Sequence, residues 1–140
     1  MSQEHAVLVD ASVAVYALGD PGPRRDACRL YLENLWAGKG RAYASVEMIQ
    51  EVVFHRRRRR GGDNRAAVAD VRDLMPSFVL LNFDREVVDT ALELMEATTI
   101  RGRDAVQAAT ALAYGIPTIA STDGGFDGVP GVRRVDPTAD

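Results

Sequence analysis

Hydrophobic and polar positions along the chain fall into two rhythms. His5-Ala6-Val7-Leu8-Val9 is a nearly unbroken apolar run closed by Asp10, the signature of a short strand buried on both faces. Ala11 to Leu18 allows a short helix, and Gly19-Asp20-Pro21-Gly22-Pro23 breaks it. From about Arg24 to Ala37, residues Ala27, Leu30, Tyr31 and Leu35 recur at helical spacing. That pattern predicts a helix with those four on its apolar face, stopped by Gly38 and Gly40. Arg41–Ala44 reads as a second short strand. Ser45 is placed to cap a helix that runs through Phe54 into a series of arginines. A turn at Gly61-Gly62-Asp63-Asn64 precedes a helix over Arg65–Leu74, ended by Pro76. Phe78–Leu81 is a strand. Asn82 or Asp84 can cap the following helix, which carries Val87, Val88, Ala91, Leu92 and Met95. Gly102 leads into a helix over Arg103–Tyr114, closed by Gly115 and Pro117. A strand at Thr118–Ala120, a glycine-rich loop to Gly131, a short strand at Val132–Val135 and a tail complete the chain. Strands alternate with helices throughout, which predicts an α/β fold with a parallel sheet covered by helices on both faces. Ligands of such sheets bind beyond the carboxyl ends of the strands.

Composition narrows this further. A chain of 140 residues, 46% of them apolar, suits a single domain over 1–140 with one real core. The net charge of −3 argues against binding nucleic acid by bulk charge. Its distribution is uneven, however: Lys39 is the only lysine among 17 basic residues, and Arg56 to Arg60 are consecutive. Cys28 stands alone, which excludes an internal disulfide and a cysteine-rich zinc site and suits a reducing cytoplasm. The apolar stretch over residues 6–18 is interrupted by Asp10 and has its arginines after it rather than before it. It is therefore not expected to be a signal peptide, and no run is long enough for a membrane span.

The chemistry points to carboxylates. Asp10 ends the first strand and Asp123 follows the Thr118–Ala120 strand, both where the sheet rule places a ligand. Glu51 sits in an apolar helical segment, and Asp104 opens the helix after Gly102. Four carboxylates converging on one place repel each other unless cations or protons neutralise them. Oxygen-only ligands suit Mg²⁺ or Mn²⁺. Each residue also has a plainer role. Asp10 can cap the next helix, Asp104 can favour a helix dipole, and Asp123 can form a turn. Glu51 is harder to explain that way, because a charge in an apolar segment is costly without a partner. Glu47, one turn earlier on the same face, is the rival ligand but has an adequate role near a helix N-terminus. Asp127 is either a loop acid or a further metal contact. His5 and His55 read as surface residues.

Four segments, taken in order, resemble the PIN-domain nucleases, in particular the VapC-type toxins. They are Val7-Leu8-Val9-Asp10-Ala11-Ser12, Ser45 to Val52, Arg103 to Ala109, and Ser121 to Asp127. The resemblance implies a three-layer α/β/α sandwich with a central, mainly parallel sheet, and a Mg²⁺- or Mn²⁺-dependent endoribonuclease. It makes Asp10, Glu51, Asp104 and Asp123 the acidic quartet, with Ser12 and Thr122 as supporting hydroxyls and Asp127 beside them. It also implies an RNA substrate, a cognate antitoxin that covers the site, and a toxin homodimer. Arg101, Arg103, Arg56 and Arg57 are the candidate RNA contacts, although the arginine series also reads as a solvated surface or an antitoxin-docking face. Tyr16, Leu18, Tyr31 and Trp36 can serve an interface or the core. Two other classes compete. A phosphoryl-transfer domain fits poorly, since a receiver needs a late lysine and a haloacid-dehalogenase-type phosphatase needs an Asp where Ser12 stands. The other is a non-catalytic binding module of the same fold.

Overall fold

The computed structural model describes residues 6–139. Five strands form the sheet: β1 (Ala6–Val9), β2 (Arg41–Ser45), β3 (Val79–Leu81), β4 (Thr118–Ala120) and β5 (Arg133–Val135). They lie in the order β3-β2-β1-β4-β5, and every pairing among the described residues is parallel. Six α-helices connect them: α1 (Ala11–Ala17), α2 (Pro23–Asn34), α3 (Val46–Arg59), α4 (Asn64–Leu74), α5 (Arg85–Ala97) and α6 (Gly102–Ala113). The predicted strand at His5 begins at Ala6; His5 itself lies outside the described residues.

Alternation along β1 divides the core in two. Val7 and Val9 pack with α1 to α4, and Ala6 and Leu8 pack with α5 and α6. The result is the expected three-layer sandwich, with β1 at its centre. Side chains cap the helices where the sequence predicts. Ser45 Oγ accepts from the Met48 amide at 3.0 Å, and Asp84, rather than Asn82, caps α5.

One helix, α2, turns differently from the prediction, and on a second, α5, the structure selects among the apolar residues. On α2 the buried positions are Cys28 and Leu32, with Leu35 just beyond, while Leu30 is exposed. The chain then widens into a π-turn over Leu35–Lys39 instead of continuing as α-helix to Ala37. Cys28, Tyr31, Leu32 and Leu35 themselves keep helical spacing, so the core face is turned toward Cys28 and Leu32 and away from Leu30. On α5 only Val87, Ala91 and Leu94 are buried; Val88, Leu92 and Met95 form an exposed apolar row beside Phe83. Tyr16, Leu18 and Tyr31 pack against the core, and Trp36 meets Phe78 edge-on at 6.1 Å.

The arginine series is sorted by helical periodicity. Met48, Val52 and Arg56 are the buried stripe of α3, so Arg56 points inward. Its Nε donates to Asp70 Oδ2 at 2.9 Å, and Arg60 donates to the same carboxylate through Nε and Nη2. Asp70→Ala is expected to cost about 2–3 kcal/mol, because it leaves the buried Arg56 charge unpaired. Urea unfolding measures this, and an unchanged midpoint would show that the pair contributes nothing to stability.

Candidate active site

Asp10 leaves the carboxyl end of β1. Its amide donates to the Ala120 carbonyl at 2.9 Å, which carries the β1–β4 ladder one step past the strands. The register Val9↔Ala120 therefore sets residue 10 beside residue 121. There Ser121 Oγ donates to Asp10 Oδ2 at 2.9 Å and accepts from the Asp123 amide at 3.0 Å. Ser12 Oγ stands 3.3 Å from Ser121 Oγ and accepts from the Thr122 amide at 3.1 Å. Two buried or half-buried hydroxyls thus tie the β1 and β4 ends together. Asp10 also caps α1 through a long contact from the Ser12 amide, 3.4 Å, so the capping and cleft roles coexist in one side chain.

Ser12 Oγ bridges the β1 and β4 ends through Ser121 and the Thr122 amide. The hydroxyl in contact with an acid is that of Ser121; Thr122 contributes its backbone amide, which donates to Ser12 Oγ. The parallel pairing of β1 with β4 was the signal that pointed to Ser121. Residue 121 continues β4 as residue 10 continues β1.

Glu51 reaches the same place from α3. Residues 51, 54, 55 and 58 form one helical stripe, and all four line a cleft of about 490 Å³ together with Asp10, Ser12, Arg103, Asp104, Thr122 and Asp123. Burial raises the Glu51 pKa, and the negative charge of Asp10 raises it further; Arg103, 3.8 Å away, works against this. Glu47 does not line this cleft. It lines a neighbouring groove beside α5 that Glu51 lines as well, so of the two rival glutamates only Glu51 also reaches the cleft of the other acids.

Asp104 sits in the first turn of α6. Its pKa is pushed up to about 6 by burial, then by the charges of Asp123 and Asp10 and a hydrogen bond with Asp123. Opposite it stands Gly125. A Cβ there would lie 2.6 Å from Asp104 Oδ2 and 3.2 Å from Asp123 Oδ1. The backbone therefore closes on the two carboxylates as tightly as any residue type allows.

The structure brings the four predicted acids into one cleft. It does not bring Asp127 there: that side chain is exposed and held by Arg134, whose Nε and Nη2 donate at 2.8 and 3.1 Å. Nor do Arg56, Arg57 and Arg101 line it. Arg56 is buried against Asp70, Arg57 donates to Asn64 Oδ1 at 2.7 Å, and Arg101 flanks α6 from the outside. Arg103 and Arg58 are the cleft arginines. Arg58 takes the position because it falls one turn after Phe54, over whose ring it lies. His55, read from the sequence as a surface residue, is half-buried in the cleft wall.

The donor set is oxygen only, and its charges repel each other, so a hard divalent cation suits it. Among the described residues no three His, Cys, Asp or Glu side chains already form a cage for an ion. Mg²⁺ needs no such cage, since it is held through one or two carboxylates and keeps several waters. No described helix is long and apolar enough to cross a membrane.

Comparisons with known proteins agree with this geometry. A sequence model of the PIN domain matches residues 7–132. Ribonuclease VapC13 of Mycobacterium tuberculosis is 31% identical over 133 residues, which cover 92% of this chain and 98% of that protein. Ribonuclease VapC7 of the same organism is 33% identical over 137 residues, covering 95% and 92%. Among solved structures, VapBC-1 from nontypeable Haemophilus influenzae shares the fold with a TM-score of 0.74 at 13% identity, covering 96% of this chain and 99% of that one. Mycobacterium tuberculosis VapC20, a sarcin–ricin loop cleaving toxin, matches at 25% identity and a TM-score of 0.67, covering 91% and 98%.

Proposed function

The chain belongs to the PIN-domain family, and on that premise we propose that it hydrolyses RNA phosphodiesters with a divalent cation, Mg²⁺ or Mn²⁺, held by Asp10, Asp104, Asp123 and Glu51. It is an endoribonuclease of the toxin–antitoxin kind. The observation that carries the metal reading is the meeting of four carboxylates, remote in sequence, at the carboxyl edge of the sheet with no internal neutralisation beyond Arg103 and Arg58.

A bound divalent ion supplies Lewis-acid stabilisation of charge on the phosphoryl group and lowers the pKa of water. The chain's own groups do the rest. Asp10 is oriented by Ser121, and Asp123 is fixed by its amide on Ser121 and by the Gly125 amide on its Oδ1 at 2.8 Å. Glu51, with its raised pKa, is suited to accept and hold the proton of the attacking water. Arg103 and Arg58 offer guanidiniums to the phosphates on either side.

The partner we propose is a cognate antitoxin. Support comes from the VapBC complexes that share the fold, and from the exposed apolar row Val88, Leu92 and Met95, a surface that a monomer leaves wet at a cost. A toxin homodimer is part of the same proposal.

Cleavage of a structured RNA by the purified chain, with and without Mg²⁺ or Mn²⁺, tests the reading. Metal-dependent cutting that disappears in Asp10→Asn is expected. Cutting undiminished in EDTA would overturn the metal role, and RNA binding without any cutting would favour a non-catalytic module. A separate readout avoids activity altogether. Millimolar Mn²⁺ is expected to raise the melting temperature of the wild type by several degrees, and Asp123→Asn to respond less. No shift in the wild type would mean that the four acids do not bind metal.

A further inference from the structure

A second hollow, of about 510 Å³, lies beside the acidic cleft, between the α1–α2 turn and α3. The two share Val15, Tyr16 and His55 as a common wall, so a strand laid across the carboxylates runs directly into it. Its size falls in the range of small-ligand pockets, about 300–1,000 Å³. Its chemistry is the opposite of its neighbour's. Three guanidiniums, of Arg24, Arg25 and Arg59, face a single carboxylate, that of Asp20. Pro21, Pro23 and Val15 make the remaining surface apolar.

Three features mark it as more than a surface dip. Tyr16 is half-buried, and the Arg24 guanidinium lies 5.5 Å from its ring centroid while Nη1 donates to its hydroxyl at 2.8 Å, a paired aromatic ring and guanidinium. Among the described residues, two wall side chains carry a buried nitrogen with no partner, Arg25 Nε and His55 Nδ1, so neither side chain is fully satisfied in its present rotamer. Burial, and then the charges of Arg56, Arg59 and Arg58, lower the His55 pKa. Both effects favour the neutral ring, which carries one donor and one acceptor.

We propose that this hollow is a nucleobase subsite: it holds one unpaired base adjacent to the cleaved phosphodiester and sets which sequence is cut. His55 and Arg25 meet the edge of the base, and the Tyr16–Arg24 unit gives it a stacking surface. Arg59 turns to the flanking phosphate. Its present partner, Asp20, forms an exposed pair that a phosphate can replace. Single-stranded RNA is recognised in this way, by stacking on aromatic or guanidinium planes and by hydrogen bonds to base edges. An acidic peptide would satisfy the arginines equally, but it has no use for a neutral imidazole and a stacking face in the wall of the catalytic cleft.

The proposal rests on the RNA-hydrolase reading, and the experiment separates the two. Binding of a fluorescein-labelled random-sequence hexaribonucleotide is followed by anisotropy in EDTA, for the wild type, Arg25→Gln and His55→Ala. Cleavage sites in a random RNA pool are sequenced with Mn²⁺ present, and circular dichroism confirms that each variant is folded. Each variant is expected to bind roughly tenfold more weakly, the size of losing one hydrogen-bonded contact to a base edge. Each is also expected to flatten the base preference at one position next to the cut while leaving the other positions unchanged. An abasic ribose at that position, which removes the edge contacts and the stacking together, should weaken wild-type binding by more than about tenfold and weaken Arg25→Gln by a smaller factor. Unchanged affinity and base preference in both variants would overturn the subsite and leave the hydrolase reading standing. The expected affinity losses without any cleavage by the wild type would keep the subsite and remove the hydrolase. Variants that lose only inhibition by a purified antitoxin would make the hollow a protein-docking surface instead.

Discussion

Asp104→Asn is expected to abolish RNA cleavage while making the metal-free protein more stable. The loss of rate should be about 10³-fold or more, equivalent to ~4 kcal/mol of transition-state stabilisation, because a charged oxygen ligand is replaced by a neutral amide. The gain in stability follows from the same charge. In the folded protein the Asp104 pKa lies at about 6 against an ordinary value of 3.8, raised by burial and by Asp123 and Asp10. An acid whose folded pKa is raised binds its proton more tightly in the folded state. The stability it contributes is fully present below pH 3.8 and is lost as pH rises through about 6. Above that window the charged side chain opposes folding, and Asn relieves it. Other carboxylates slope the other way: Asp20, Asp70, Asp127 and Asp136 are held low by hydrogen bonds from Arg59, Arg60, Arg134 and Thr138. The useful quantity is therefore the difference between variant and wild type. Melting in EDTA should show a small gap at pH 4.5 and a wider one at pH 7.5, with the variant higher. Millimolar Mn²⁺ should close that gap by stabilising the wild type alone. A variant that melts lower than the wild type at pH 7.5 would show that Asp104 is a structural residue.

The same reasoning explains why the site could be read so far ahead of the structure. Asp10, Glu51, Asp104 and Asp123 were legible because each combines a costly charge with a position that local structure dictates. Two follow strands, one opens a helix, and one interrupts an apolar helical face. The helix boundaries were legible for a similar reason, since Ser45, Asp84, Gly102 and Gly115 act on their own neighbours. What the sequence hid depends on contacts between remote segments. Arg56 reads as one cation among five; only the packing of α3 against α4 reveals that it is the buried member, matched by Asp70. Arg58 replaces Arg57 at the cleft because one residue on a helix turns the side chain by about 100°. On α2, apolar spacing alone leaves the choice between Leu30 and the Cys28–Leu32 face open, and packing against α1 decides it. Ser121 was passed over for Thr122 because the choice depends on β1–β4 register. Val88, Leu92 and Met95 stand beside the buried Val87 and Ala91 on one helix, and an apolar side chain carries no mark in the sequence that distinguishes a core from an exposed face.

Gly125 shows how a residue with no functional group can govern the site. Gly125→Ala is expected to reduce cleavage by about 100-fold while shifting the unfolding midpoint very little. Its φ is not in the left-handed region, so alanine suits the backbone. The obstacle is the new methyl group, placed 2.6 Å from Asp104 Oδ2 and 3.2 Å from Asp123 Oδ1. The end of an aspartate side chain turns away at little energetic cost, so the fold accommodates the change. Catalysis does not, because a displacement of about 1 Å in a positioned group is enough to cost ~10²-fold in rate. Gly124→Ala is the control. Its Cβ would stand 3.5 Å from Asp127 Oδ2, an ordinary contact with a carboxylate outside the cleft, so near-normal cleavage is expected. The Mn²⁺-induced rise in melting temperature should shrink in Gly125→Ala and persist in Gly124→Ala, which ties the lost rate to the metal rather than to RNA binding. If the two alanine variants cut RNA equally well, the spacing between Asp104 and Asp123 is not what the reaction depends on.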